Sequence, residues 1–304
     1  MASASYSSQN EPQTEHNSKQ IIIIAKQFKG NYSNIAKSLS ISPLAEQYTI
    51  TNMSLDDWQH KPVVADLIIP LGNEAFRFFV ENEPETPVLA SLITCPEWFY
   101  QTVDNPPKNI NAIFYDPDLI RQTVLAKLLK PHASSVGLMN MRNNEHIPKI
   151  YSEVLQKLKL KLKQSIIDDP ADVIEQYPTL SDHSDIIILR PDPAVYNSQT
   201  LPRILLTSYR QQKLVLGYST AMVKAGAVAT TYTSFDMLLQ DLQESAKILL
   251  NNSKQKILRH SKYYDIKYNH EVANSMGLKA ISKIELEQAI EQLYNQLNNK
   301  NQSN

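Results

Sequence analysis

Five short polar side chains stand where predicted strands end, and their types suit ligand binding better than catalysis. Amide and hydroxyl groups there, with helix N-termini behind them, can bind a small polar or zwitterionic molecule, because backbone N–H groups and the helix dipole favour a carboxylate. The same residue types also cap helices and form turns for purely structural reasons, and residue by residue the two interpretations are about even. Their convergence on one edge favours a ligand site that contains Asn73, Thr94, Asn140, Asn197 and Ser219.

Aromatic side chains near the same turns could pack on an apolar part of such a ligand. Phe28 follows the first predicted strand and Tyr115 follows a later one, and we expect both in the site. Trp98 and Tyr196 are further stacking candidates.

No catalytic motif is recognisable, so we expect no enzyme activity and no catalytic residue. The turn at 72–75 lacks the repeated glycines, lysine and hydroxyl of a phosphate-binding loop, and the six glycines form neither a dinucleotide fingerprint nor a nucleophile elbow. Cys95 follows a strand at a plausible cleft position, but the sequence shows no nearby base, and packing is the expected role. The histidines, His146 and His260 among them, lack metal-ligand spacing; we interpret them as surface residues and expect no metal and no cofactor.

Composition indicates a globular protein without a nucleic-acid partner. Of 304 residues, 42% are hydrophobic and 20% charged, and the formal net charge of −1 offers no positive surplus for phosphates. The basic run 157–163 alternates with leucine and predicts a helix end passing into a partly exposed strand rather than a polyanion site. No apolar run is long enough to predict a membrane span.

Short β-branched runs alternate with helix-length segments, which is typical of parallel sheets. Two such series meet at 115–118, where prolines and aspartates suggest a crossing between lobes. The predicted fold class is α/β, with two doubly wound Rossmann-like lobes, a hinge and an interlobe cleft. We assign 1–19 to a disordered leader, 20–115 to lobe I, 116–234 to lobe II and 298–304 to a polar tail; about 235–260 and 280–297 complete lobe I, and about 261–279 completes lobe II.

Five segments in the second half of the chain share a family likeness. They are LRPDPAVYN at 189–197, ILLTSYR at 204–210, LGYS at 216–219, VKAGA at 223–227 and YNHEVANSMGL at 268–278. These segments resemble the ABC-transporter substrate-binding family with the type I periplasmic-binding fold, in a branch related to aromatic-amino-acid binders. The likeness spans roughly residues 20–280.

The resemblance implies a monomer whose two lobes, joined by a three-stranded hinge, close on a small-molecule solute and then dock on a membrane permease. In amino-acid binders the position of Ser219 is often acidic and meets the ligand amine, so serine argues against an amino-acid ligand. The resemblance also implies a periplasmic or extracytoplasmic location. Relatives carry a signal peptide or a lipoprotein cysteine, and the polar start of this chain fits a protein from which that segment has been removed.

Two other functions remain open. A ligand-sensing domain of a signalling system shares this fold and would be fused to a DNA-binding or signalling segment, for which residues 1–19 are too short and polar. A two-lobed transferase or hydrolase would need a metal- or phosphate-handling turn, and none is identifiable.

Overall fold

Two six-stranded sheets form the framework of the molecule. A computed structural model describes residues 18–102 and 107–301, with side chains up to residue 297, so the predicted leader lies almost wholly outside the described residues. Strands β1–β5 and β11 form the first sheet, and β6–β10 and β12 form the second. The strands are β1 (Gln20–Ala25), β2 (Thr49–Ser54), β3 (Leu67–Leu71), β4 (Val88–Ile93), β5 (Ile110–Phe114), β6 (Ser135–Met141), β7 (Lys161–Ile167), β8 (Ile186–Ile188), β9 (Leu214–Leu216), β10 (Ala229–Tyr232), β11 (Leu258–His260) and β12 (Asp265–Tyr268).

Both sheets have the strand order of doubly wound folds. The first sheet runs β11-β5-β4-β3-β1-β2, and every pairing in it is parallel. The second runs β12-β10-β9-β8-β6-β7 and is parallel except at β12, which pairs antiparallel with β10. The predicted α/β fold with two lobes is confirmed, and the antiparallel edge strand is the exception to the parallel pairing we expected.

Helices cover the faces of both sheets. α10 packs on the first sheet through Leu238 and Leu242, and α5 packs on the second through Val124 and Leu125. The helices of lobe I are α1 (Asn31–Ser40), α2 (Leu55–His60), α3 (Asn73–Asn82), α4 (Cys95–Thr102) and α10 (Phe235–Asn251). Those of lobe II are α5 (Leu119–Leu129), α6 (Tyr151–Lys157), α7 (Val173–Asp182), α8 (Leu201–Arg210), α9 (Thr220–Ala225), α11 (His270–Ser275) and α12 (Lys283–Asn301).

Buried β-branched runs explain why these strands form. All four isoleucines of β1 are fully buried, as expected for a central parallel strand covered on both faces. The predicted basic run behaves as expected: α6 ends at Lys157, and β7 is a half-exposed edge strand in which lysines alternate with more buried residues.

Within the described residues, the chain passes between the lobes three times. The crossings are 115–118 between β5 and α5, 233–234 between β10 and α10, and 261–264 between β11 and β12. The first is the crossing predicted from the sequence.

The described residues also include no helix that is both long and apolar enough to cross a membrane.

The last helix corrects the predicted lobe assignment. Residues 280–297 were expected to complete lobe I, but α12 contacts α5 and α6, and its Leu286, Leu293 and Leu297 join the core of lobe II. In the first turn of this helix Leu286 is fully buried, whereas Ile284 is 67% exposed. The helix also extends to Asn301, into the predicted tail. Amphipathic periodicity defines a buried face but not the lobe that covers it.

Candidate functional site

A cavity of about 260 Å³ lies between the lobes, where strands of both sheets end. The first lobe contributes a hydroxyl, and the second contributes the turns after β8 and β9 and the end of β10. The crossings supply the remaining wall. The lining residues are Thr94 from lobe I, Pro191, Tyr218, Ser219, Thr220 and Tyr232 from lobe II, and Tyr115, Asp116, Pro117 and Thr233 at the crossings.

Two hydroxyl groups of this cavity are held in place by helix capping. The Ser219 Oγ accepts a hydrogen bond from the backbone N–H of Met222 at 3.3 Å, and the Thr94 Oγ1 accepts one from Glu97 at 3.3 Å. Capping uses the hydroxyl as an acceptor, so its own hydrogen remains free to bond a ligand. The capping role of these two residues is therefore compatible with the predicted role in ligand binding.

A second, smaller cavity adjoins the first. It encloses about 40 Å³ and shares Asp116, Pro117, Pro191 and Tyr218 with its larger neighbour. Its other lining residues include Cys95, Arg190 and His260. The two cavities therefore form one cleft with a wide tyrosine-lined part and a narrow part lined by charged side chains.

His260, the last residue of β11, contacts two aspartates of the first crossing. Its Nδ1 lies 3.1 Å from the Asp118 Oδ2, and its Nε2 lies 3.7 Å from the Asp116 Oδ2. Burial by itself lowers the pKa of His260, but the contacts with the two aspartates outweigh it and hold that pKa well above its usual value. Burial would raise the pKa of Asp118, yet the hydrogen bond and charge of His260 lower it. His260 is thus a buried, charged residue rather than the surface histidine predicted.

Cys95 lies beside His260 but lacks the properties of a nucleophile. It is buried at the first turn of α4, where its backbone N–H donates to the Asp116 Oδ1 at 2.8 Å. Burial raises the pKa of the thiol, and its hydrogen bond with His260 only partly offsets this. The nucleophilic form of cysteine is an accessible thiolate, whereas the Cys95 thiol is buried and its pKa is raised.

Arg190 follows β8 and places a guanidinium between the lobes. The residue is only 7% exposed, and its Nη2 donates to the backbone oxygen of His146 at 2.7 Å. Its Nη1 donates at 3.4 Å to the Oδ1 of Asn140, which is fully buried. Burial lowers the pKa of Arg190, and the charge of Asp116 opposes this shift.

The lobes touch each other beyond this guanidinium. The ring of Phe99 on α4 stacks on the ring of His146 in the loop after β6, with centroids 3.5 Å apart and planes inclined by 15°. Burial and the charge of Arg190 lower the pKa of His146, so the stacked imidazole is neutral at pH 7. This contact joins the two lobes across the cleft.

The structure brings some of the predicted site residues together and places others elsewhere. Thr94, Tyr115 and Ser219 line the larger cavity, and Asn140 contacts Arg190 behind the smaller one. Asn197 instead serves its own turn: the Oδ1 accepts from the backbone of Gln199 and Thr200, and the Nδ2 donates to backbone oxygens of the preceding turn.

Phe28 and Asn73 lie away from both cavities. Phe28 packs half-buried against the core of lobe I. Asn73 begins α3 after Gly72, whose φ of 83° and close contact with Tyr32 leave no room for a Cβ. Strand-end position thus predicted the edge but not which turns face the cleft.

Both further stacking candidates are core residues. Trp98 is buried and stacks on Phe76, with ring centroids 5.3 Å apart. Tyr196 is buried too, and its hydroxyl donates to the backbone oxygen of Met139 at 2.8 Å.

The sequence interpretation overlooked several lining residues that the same rule could have found. Asp116, Tyr218 and Arg190 each stand two residues after a strand, in the same strand-end turns as, or turns equivalent to, those of Tyr115 and Ser219. Tyr232 ends β10. His260 carried no such signal, because β11 has only three residues and was not predicted.

No metal centre is evident in the part of the chain that the structure describes. There, no three or more His, Cys, Asp or Glu side chains are grouped so that they could hold an ion. The cleft is suited instead to hydrogen bonding and stacking.

Comparison with known proteins identifies the fold. No protein-family model and no curated protein matches the sequence. Among solved structures, the chain is similar to a ligand-free, open substrate-binding protein with adhesive properties from Clostridium difficile (TM-score 0.61, 17% identity, covering 87% of this chain and 97% of that one). It is also similar to an ABC domain in complex with L-Trp from Streptococcus pneumonia (0.56, 17%, 89% and 98%) and to a conserved domain protein from Vibrio cholerae (0.57, 15%, 89% and 98%).

One of these structures is named as a substrate-binding protein and another as a complex with L-Trp. Together with the two doubly wound lobes, these likenesses show that the chain has the type I periplasmic-binding fold.

Proposed function

We propose that this protein is the solute-binding component of an ABC transporter. It would act outside the cytoplasm, bind a small polar or zwitterionic molecule between its lobes, and present the closed form to a membrane permease. The observation that carries the proposal is the cavity of about 260 Å³ at the strand ends of both lobes, with Thr94, Tyr115 and Ser219 in its wall.

The three crossings supply the movement that this function needs. Two sheets joined only at 115–118, 233–234 and 261–264, within the described chain, can rotate about those segments while each core stays intact. A ligand that contacts both lobes at once favours the closed arrangement, because its contacts are complete only there.

The first test is thermal unfolding against a panel of amino acids, small carboxylates, purines and sugars. A ligand at 100 times its dissociation constant adds about 2.7 kcal/mol to the folded state, which raises the melting temperature by roughly 5 °C. A chain that responds to none of these compounds, after unfolding and refolding to remove any carried-over ligand, would contradict solute binding.

The matched variants are Ser219→Leu and Ser219→Ala. Both lose the hydroxyl that caps α9, at a cost of about 1 kcal/mol, but only leucine fills the cavity. We expect the leucine variant to lose binding and the alanine variant to bind a few-fold more weakly, because one hydrogen bond contributes about 1 kcal/mol. Equal binding by the leucine variant and the parent protein would remove this cavity from the proposal.

A further inference from the structure

Arg190 is a charged group of the cleft that the predicted site did not include. It follows β8, lines the smaller cavity and is 7% exposed. Within the described part of the chain it forms no ion pair with a carboxylate. A buried cation without a bonded counter-ion costs folding free energy.

Some N–H groups of the guanidinium also have no acceptor among the described residues. It carries five N–H groups in a planar fork. Its partners in the structure are three oxygens, at 2.7 Å in His146 and at the long distances of 3.4 Å in Asn140 and 3.5 Å in Asn144. At least two donors are therefore open to a further acceptor.

The residues bonded to Arg190 have unused polar atoms of their own. The Nδ2 of Asn140, the Oδ1 of Asn144 and the Nε2 of His146 are buried and have no hydrogen-bond partner among the described residues. Native proteins leave few buried polar atoms unpaired, and a bound water, ion or ligand is one way to complete their bonding. All three belong to the residues whose oxygens accept from the guanidinium, so the unpaired atoms and the unpaired charge share one neighbourhood.

Nearby negative charge does not substitute for an acceptor. Asp116 raises the pKa of Arg190, but its Oδ1 already accepts from the Cys95 N–H at 2.8 Å and its Oδ2 faces His260. Asp192 is buried close by in sequence; its Oδ2 accepts from the Met141 backbone N–H at 2.9 Å and from the Asn144 Nδ2 at 3.1 Å, and its Oδ1 accepts from the Ala194 backbone N–H at 3.2 Å. Both carboxylates are occupied.

We propose that Arg190 binds the acidic group of the solute, and that the solute is a carboxylic acid with an apolar or aromatic body. The proposal rests on the proposed function and names its ligand class. A planar guanidinium fork matches a carboxylate with two parallel hydrogen bonds. The body of the solute lies in the larger cavity against Tyr115 and Tyr218, which is continuous with the charged part of the cleft through shared wall residues.

The experiment compares acids with their uncharged amides. Isothermal titration calorimetry measures the dissociation constants of indole-3-acetate and indole-3-acetamide, and of L-tryptophan and L-tryptophanamide, on the parent protein. We expect at least one acid to bind about tenfold or more tightly than its amide, because a hydrogen bond to a charged group is stronger than one to a neutral group.

Three variants then assign that preference to a residue. Arg190→Met keeps a long apolar stem and loses the charge, so it should weaken acid binding about 10- to 100-fold and leave amide binding nearly unchanged. Arg190→Lys keeps the charge but not the fork and should bind at an intermediate level. Arg203→Met, at an exposed position on α8, is the control and should match the parent protein.

The melting temperature of each ligand-free variant separates binding from fold support. Removing an uncompensated buried charge leaves the ligand-free Arg190→Met protein at least about as stable as the parent. A loss of acid binding accompanied by a large fall in that melting temperature would assign Arg190 to fold support and overturn the proposal.

The remaining outcomes are also decisive. Equal binding of acid and amide, unchanged acid binding by Arg190→Met, or a wider panel that yields only uncharged ligands would overturn the role of Arg190 and leave solute binding standing. Binding of no compound at all would overturn both.

Discussion

A buried carboxylate ties the third crossing to lobe I, and neutralising it should destabilise the protein measurably. Asp241 is fully buried on α10, and the guanidinium of Arg259 donates to both of its oxygens at 2.7 Å. The same carboxylate accepts from the Ser261 hydroxyl at 3.0 Å and from the Lys262 backbone at 2.9 Å. The perturbation is Asp241→Asn, which keeps the size of the side chain and removes its charge.

The magnitude follows from what the substitution leaves behind. One amide oxygen cannot replace two carboxylate oxygens, and the amide NH₂ faces N–H and O–H donors. Breaking a buried pair in this way costs about 3–5 kcal/mol. The side chain of Arg259 is 34% exposed, so water compensates part of its lost partner and we expect the lower end, about 3 kcal/mol. For a protein of this size that lowers the melting temperature by roughly 5 °C.

The pH dependence has a definite sign. Burial would raise the pKa of Asp241, but the hydrogen bonds and charge of Arg259 outweigh it and lower that pKa. A group whose pKa is lowered by folding stabilises the protein above its unfolded-state pKa, about 4, and loses that contribution as the pH falls through the folded-state value. The difference in stability between the parent protein and Asp241→Asn should therefore be largest at pH 7 and should decrease as the solution becomes acidic.

The assay is thermal unfolding by circular dichroism from pH 3 to pH 7, with Glu244→Gln as control. Glu244 lies one turn along the same helix and pairs with Lys262 of the same crossing. The side chains of both partners are more than one-third exposed. A solvated pair contributes at most about 1 kcal/mol. If Asp241→Asn at pH 7 loses no more stability than this control, the argument from burial is refuted.

Three further predictions concern the cleft and its edges. Phe99→Ala removes the ring that stacks on His146 across the lobes, and because an aromatic pair contributes about 0.5–1.5 kcal/mol, ligand affinity should fall about two- to tenfold in calorimetry; unchanged affinity would show that the contact does not favour closure. His260→Gln removes an imidazolium whose pKa is raised by its two aspartates. The melting temperature of this variant should therefore lie furthest below that of the parent protein under pH 6.5, and the difference should shrink as the pH rises through the folded-state pKa. A difference in melting temperature that grows with pH would refute a stabilising charge on His260. Gly72→Ala should lower the free energy of unfolding by about 2 kcal/mol or more in chemical denaturation, because φ is 83° and the new methyl group meets the Tyr32 side chain. Adding Tyr32→Ala should recover only the part of this loss that comes from the clash with Tyr32, and not the part that comes from the backbone conformation.

The elements of this fold were largely predictable from local sequence, and so was part of its site. The isoleucines of β1 predict a strand buried on both faces, and Ser234 caps α10 where its position before an amphipathic run indicated. The rule that ligands lie beyond parallel strand ends selected Thr94 and Ser219, which the structure places at one interlobe cavity.

The same local rule could not separate turns that face the cleft from turns that do not. Asn197 and Ser219 look alike in sequence, since each is a small polar residue that precedes a helix. One is used entirely within its own turn, and the other reaches the cavity. Which turn reaches the cleft depends on how the second lobe docks on the first, and no local pattern records that docking.

The amino-acid sequence by itself determined the strands, helices, caps and two-lobed order, because periodicity and turn chemistry act over a few residues. Only the tertiary structure decided which charged side chains meet in the narrow part of the cleft and which lobe α12 packs on. His260 meets Asp118 from 142 positions along the chain, and α12 finds its partner in α5. These contacts depend on which buried faces fit each other in three dimensions, and that fit is a property of the packed chain rather than of any segment.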